Sequence, residues 1–150
     1  TVQDGAESIR QMLTGGDRRS IARSNAVLAA AEADRKVVPV LAALAEDPDW
    51  LVALRALDLL EKLAHPHADW IDPFKGVFIG PSAESDRWEI RLQVVRALPL
   101  FSWTPTERRR VREILLRDVR HPRAFVRAWA TDSLARMAQE SWAGLQQCPA

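Results

Sequence analysis

Cysteine, tyrosine, glycine and long apolar runs are all scarce in this chain of 150 residues, and each shortage excludes something. The single cysteine, Cys148, stands near the end, so no internal disulfide can form and a reducing, cytoplasmic setting is the expectation. No apolar run approaches the roughly 20 residues needed to cross a bilayer, so no membrane partner is expected. The first residues lack the basic-then-apolar layout of a secretory signal. The chain opens on threonine, which leaves neighbouring domains an open matter. The six glycines, adjacent only at Gly15-Gly16, form no phosphate-cradling loop. Gly-x-Ser-x-Gly and His-Glu-x-x-His patterns are missing too, and no catalytic constellation or cofactor is implied. Strand formers rarely alternate in period two, which disfavours sheets.

What the chain does contain is one helix pattern written four times. His121-Pro122-Arg123-Ala124-Phe125-Val126-Arg127 runs on to Ala130, Leu134 and Met137. The same order appears as Ser85, Trp88, Ile90-Arg91, Val94, Leu98 and Phe101, and as Asp47-Pro48, Trp50, Leu51-Val52, Ala56, Leu60 and Leu63. A weaker copy has Asp17, Ala22-Arg23, Ala26, Ala30 and Ala33. Apolar positions three and four apart form a stripe that faces a core. Self-similarity at such a period signals stacked helical units. Asp17, Asp47 and Ser85 are placed to cap these helices, with Pro48 and Pro122 at the first helical position and His121 a poorer cap.

Shorter apolar segments between the copies read as partner helices. They are Glu7 to Leu13, Val37 to Ala45, a short one opened by Asp72-Pro73-Phe74, and one opened by the capping box Thr104-Pro105-Thr106-Glu107. The expected fold is all-α, a single domain of four helical hairpins at roughly residues 6–34, 36–65, 72–101 and 105–138, with a tail over 139–150. The alanine-filled first copy is expected to be the least stable.

Charge is unevenly spread. Residues 1–86 hold 9 Lys+Arg against 14 Asp+Glu, a balance of −5, whereas residues 87–150 hold 12 against 6, a balance of +6. The basic residues Arg108, Arg109, Arg112, Arg120 and Arg123 form a candidate patch, and residues 108–127 are the place where nucleic acid would be held. Six tryptophans are unusual beside no tyrosine. Trp50 and Trp88 share one slot, where they either form an aromatic strip for a partner or cover the seams between hairpins. Trp70, Trp103 and Trp142 fall in linkers or the tail. His65 and His67, with Asp69 and Asp72, match no common zinc spacing and are read as turn residues, so no metal is expected.

The motif of Asp-Pro or its substitute, then Val-Arg or Ile-Arg, then Ala and Leu, resembles HEAT repeats over most of the chain. The resemblance implies an α-solenoid, armadillo-like in architecture, whose second helices line a concave surface. It also implies a ladder between an aspartate at the turn and an arginine six residues on. Here that pair is complete only as Asp17 and Arg23; Asp47 is matched by Ala53 and would pair with an arginine of a neighbouring copy. The groove candidates under this resemblance are Arg91, Arg96, Arg127, Trp129 and Thr131. The leading expectation is a non-enzymatic scaffold that binds a protein partner along its inner helices. Phosphate-backbone binding by the basic C-terminal half, as in HEAT-like DNA glycosylases, comes second, without a residue match to their catalytic aspartate and tryptophans. A protein like the phycobilin lyases comes third.

Overall fold

The computed structural model describes residues 2–16 and 23–147. Among these, every regular element is helical. The α-helices are α1 (Val2–Met12), α2 (Ser24–Ala33), α3 (Val37–Leu44), α4 (Trp50–Ala64), α5 (Ala68–Ile71), α6 (Trp88–Ala97), α7 (Pro105–Asp118) and α8 (Ala124–Gln147). Asp17, Ala22 and Cys148 lie outside the described residues.

Local chemistry explains most of the boundaries. Thr104 accepts the Glu107 N–H at 3.2 Å while Glu107 accepts the Thr104 N–H at 3.0 Å, and Pro105 opens α7 where its missing donor costs nothing. Helix α3 buries Val38, Leu41, Ala42 and Leu44, the face its spacing predicts. The segment expected to open at Asp72 is instead the four-residue α5 followed by 3-10 turns at Asp72–Phe78 and Pro81–Glu84. Pro73, Gly76, Gly80 and Pro81 interrupt any longer helix there, yet Ile71, Phe78 and Ala83 still reach the core. Helix α6 ends at Ala97 and tightens into a 3-10 turn over Leu98–Leu100, since Pro99 cannot continue the backbone ladder. Helix α8 runs past the expected end at residue 138 to Gln147, through a stretch without proline.

The expected caps act one step earlier than anticipated. Asp47, Ser85 and His121 do not cap the helices themselves. Each accepts the backbone N–H two residues on, from Asp49 at 2.9 Å, Arg87 at 3.1 Å and Arg123 at 2.9 Å. Pro48 and Pro122 therefore sit inside these turns, and the helices open at Trp50, Trp88 and Ala124. Three turns with the same internal hydrogen bond thus launch α4, α6 and α8. Arg91 and Arg127 each fold back to the carbonyl of their own turn residue, Ser85 and His121, at 3.4 and 2.9 Å.

Helices α2, α4, α6 and α8 meet in chain order: α2 packs on α4, α4 on α6, and α6 on α8. On the other side α1 packs on α3, and α3 on the first 3-10 turn. Val52, Ala56, Leu60 and Leu63 of α4, Ile90 and Val94 of α6, and Val126 and Ala130 of α8 are buried as the stripe requires. In α2 the register differs by one residue. Val27 and Ala31 are fully buried, whereas Ala26, Ala30 and Ala33 are exposed.

Candidate functional site

The surface shared by α4, α6 and α8 is built from rungs, each joining one turn-helix unit to the next. The first kind of rung lies at the helix starts. The Arg87 guanidinium stacks over Trp50 at 4.2 Å, and Arg123 stacks over Trp88 at 4.9 Å. Arg87 and Arg123 occupy the same place, two residues after their turn residue. Trp50 and Trp88, read from sequence either as an aromatic strip or as covers of the seams, are half-buried beneath Arg87 and Arg123. Such stacking is worth about 0.5–1 kcal/mol at an exposed site.

The second kind of rung lies one to two turns further along. Gln93 on α6 donates to Asp58 on α4 at 3.3 Å. In the next unit, Arg96 on α6 lies 4.9 Å from the Trp129 ring on α8. Arg96 also pairs with the buried Glu61 at 3.2 Å, which His65 approaches to 3.6 Å. Asp58 is further held by Lys62 at 2.8 Å, and the corresponding pair on α8 is Asp132 with Arg136 at 3.0 Å. Within this cluster Gln93 Oε1 and Arg96 Nε are buried without a hydrogen-bond partner.

Of the groove candidates, only Arg96 and Trp129 meet from two different helices. Arg91 forms an ion pair with Asp118 on α7, which is fully buried, between two helices instead of on the shared surface. Arg127 donates to the His121 and Pro122 carbonyls, and Thr131 Oγ1 donates to the Arg127 carbonyl. The separation has a simple cause. Residues five apart on an α-helix are turned by about 140° from one another, so Arg91 and Arg96 cannot share a face. Phe125 joins Trp129 from the turn before; it is 67% exposed and Trp129 37% exposed, which marks this end of α8 as unusually apolar for a surface.

The basic run is likewise divided. Arg110 and Arg117 turn inward, both reaching Glu84 at 2.8 Å, with Arg110 also bonded to the Ile79 carbonyl and Arg117 to that of Ala83. Their guanidinium groups, Arg117 first, hold the Glu84 carboxyl below its usual range. Arg123 is taken by Trp88. Arg108 reaches the Trp103 carbonyl at 3.5 Å, while Arg109, Arg112 and Arg120 are exposed.

Three features were not singled out from sequence: Arg87, Phe125 and the buried acid Asp118. Arg87 and Arg123 hold equal offsets from their turns, a signal present in the repeat. His67 stacks on Trp70 at 3.8 Å, apart from the His65–Glu61 contact, and among the described residues no three metal-ligating side chains converge. Trp103, placed in a linker by its sequence position, is buried, and its indole N–H donates to the Leu98 carbonyl at 2.8 Å. The Trp142 side chain lies outside what is described.

Comparison with known proteins returns no match: no family model fits the chain, and no curated protein or solved structure matches it significantly.

Proposed function

We propose that this chain is a HEAT-like α-solenoid that acts as a non-enzymatic interaction module, binding a protein partner on the surface formed by α6 and α8. The order in which the second helices pack, and the recurrence of turn bonds and rungs from unit to unit, support the solenoid reading. The observation that carries the binding reading is the exposure of Phe125 and Trp129, one helical turn apart, beside the Arg96 guanidinium. Aromatic side chains next to arginine are the residues that most often anchor protein interfaces. The flanking charges alternate in sign, from Asp58 and Lys62 to Asp132 and Arg136, which suits a protein surface better than a polyanion.

Phosphate binding along residues 108–127 is the weaker reading, because Arg110, Arg117 and Arg123 are engaged within the chain. Affinity capture with the immobilised chain tests the proposal. A protein retained by the wild type should be lost from a Phe125→Ser/Trp129→Ser variant whose thermal unfolding is unchanged. Equal retention by both would reject this surface.

A further inference from the structure

We infer that the outer face of α7 is a second docking surface, one that receives an acidic amphipathic helix of a protein partner through Arg109, Arg112, Leu116 and Arg120. It is independent of the surface on α6 and α8. Helix α7 carries five arginines, and Arg120 follows in the turn that ends it. The fold employs Arg110 and Arg117, which clamp Glu84, and Arg108, which reaches a carbonyl. Arg109, Arg112 and Arg120 are exposed, and no hydrogen bond or ion pair within the described residues engages their side chains. Glu113, the carboxylate nearest to them in sequence, is exposed and forms no ion pair with them among the described residues.

These positions lie on one side of the helix. Arg109 and Arg112 are three apart, and Arg112, Leu116 and Arg120 follow at intervals of four. Arg109 and Arg112 repel at this spacing, and Arg109, in the N-terminal half of α7, opposes the helix dipole, whereas Arg120 beyond the C-terminal end does not. None of the three guanidinium groups has an ion-pair partner among the described residues, so a carboxylate from outside is the natural complement. Leu116 fixes which group. It is 44% exposed in the middle of the arginines, a leucine where a solvated helix face would carry a polar residue. A phosphate backbone would meet the guanidinium groups but leave this leucine against charged oxygens. A bilayer would need several large apolar side chains to enter it, and the patch supplies one. An acidic helix with carboxylates three and four apart around an apolar residue satisfies both features: its carboxylates take the forked guanidinium donors and its apolar residue covers Leu116.

The test is an anisotropy titration of the full chain with a labelled helical peptide of Glu, Ala and Leu in that spacing, at about 50 and about 150 mM salt. Saturable binding that weakens with salt is expected, with roughly a tenfold or greater loss in Arg109→Glu/Arg112→Glu/Arg120→Glu and a smaller, roughly threefold, loss in Leu116→Ser. Arg112→Glu alone, read the same way, covers a failure of the triple variant to fold. The inference is overturned if the peptide does not bind, or if the reversed variants bind it as well as the wild type. It is equally overturned if duplex DNA or phosphatidylserine vesicles bind more tightly than the peptide and Leu116→Ser leaves that binding unchanged.

Discussion

The contact of α2 with α4 and the contacts of α4 with α6 and of α6 with α8 are made in different ways. At the first, α2 presents Val27 and Ala31, small side chains that bury little surface. Polar ties from the other side supplement them. Arg10 grips Asp47 through two bonds at 2.8 and 3.1 Å, and Arg55 donates to the Leu13 carbonyl at 2.7 Å. At the later junctions tryptophan, leucine and valine fill the interface. Polar groups enter as guanidinium rungs over indoles and as single buried bonds, such as that from Ser133 to the Val95 carbonyl at 2.6 Å. Large side chains bring enough apolar surface to carry buried polar groups. Where alanine replaces them, one part-buried ion pair and one buried bond to a carbonyl supplement the smaller apolar contact.

That contrast breaks most sharply at Leu60, which is fully buried in α4. Leu60→Asp places an unpaired charge in the core and should abolish the cooperative thermal transition, a loss of about 4 kcal/mol or more. Ala30→Ser on the exposed side of α2 should shift stability by about 0.5 kcal/mol or less. Equal effects would mean that the buried face of α4 and the exposed face of α2 are misassigned.

The next test sets one carboxylate against another. Asp118 is fully buried between Arg91 and Arg117, and removing it leaves Arg91 without its carboxylate partner, while Arg117 keeps Glu84. Asp118→Ala should cost about 3–5 kcal/mol. Asp47 answers to Arg10, which is about one-third exposed, so Asp47→Ala should cost about 1 kcal/mol. Chemical denaturation of both variants gives the ratio, and a costlier Asp47 would reverse the comparison. Arg10 holds the Asp47 carboxyl below its usual range, so the stability it adds is present above that range and is lost only as the pH falls through the lowered value. A smaller effect, about 0.5–1 kcal/mol, is expected from Arg123→Ser, which uncovers Trp88. Near-ultraviolet circular dichroism should report the changed indole environment even where the unfolding midpoint barely moves.

Much of this was legible in the residues. The all-helical class, the α3 face and the Thr104 box follow from spacing and capping chemistry that act locally. The α2 register was not, because a run of alanines offers no contrast between faces; in three dimensions Ser24, Val27 and Ala31 form the buried one. The caps were misplaced by two residues because an Asp, Ser or His can satisfy either a turn or a helix start, and sequence does not say which. At the candidate surface, Arg96 and Trp129 were both named, while Arg91 was drawn inward by Asp118. A buried acid compensated by two arginines from different elements is a tertiary fact with no local signature. The exposure of Phe125 was equally hidden, since it depends on what α8 packs against.

The smallest expected effect tests whether the third turn differs from the other two by more than its residue type. Asp47 and Ser85 accept their turn N–H through oxygen, but His121 does so through Nδ1, which must be unprotonated to accept. Burial first, and then the nearby Arg91, Arg117 and Arg123, hold the His121 pKa below its ordinary value, with Asp118 acting in the opposite sense. Arg127 adds a further cation, bonded to the His121 carbonyl. A depressed folded-state pKa means that the stabilisation is complete above the unfolded value, near 6.5, and is lost as the pH falls towards the folded one. Between pH 7.5 and 5 the wild-type melting temperature should therefore drop by about 1–3 °C, a window well above the one in which Asp47 and Glu84 titrate. His121→Asn retains an acceptor that does not titrate, so it should flatten this portion of the profile while leaving the melting temperature at pH 7.5 nearly unchanged. A variant whose profile still tracks the wild type would mean that the third turn holds without its imidazole bond, and that the arginine over Trp88 secures this junction by itself.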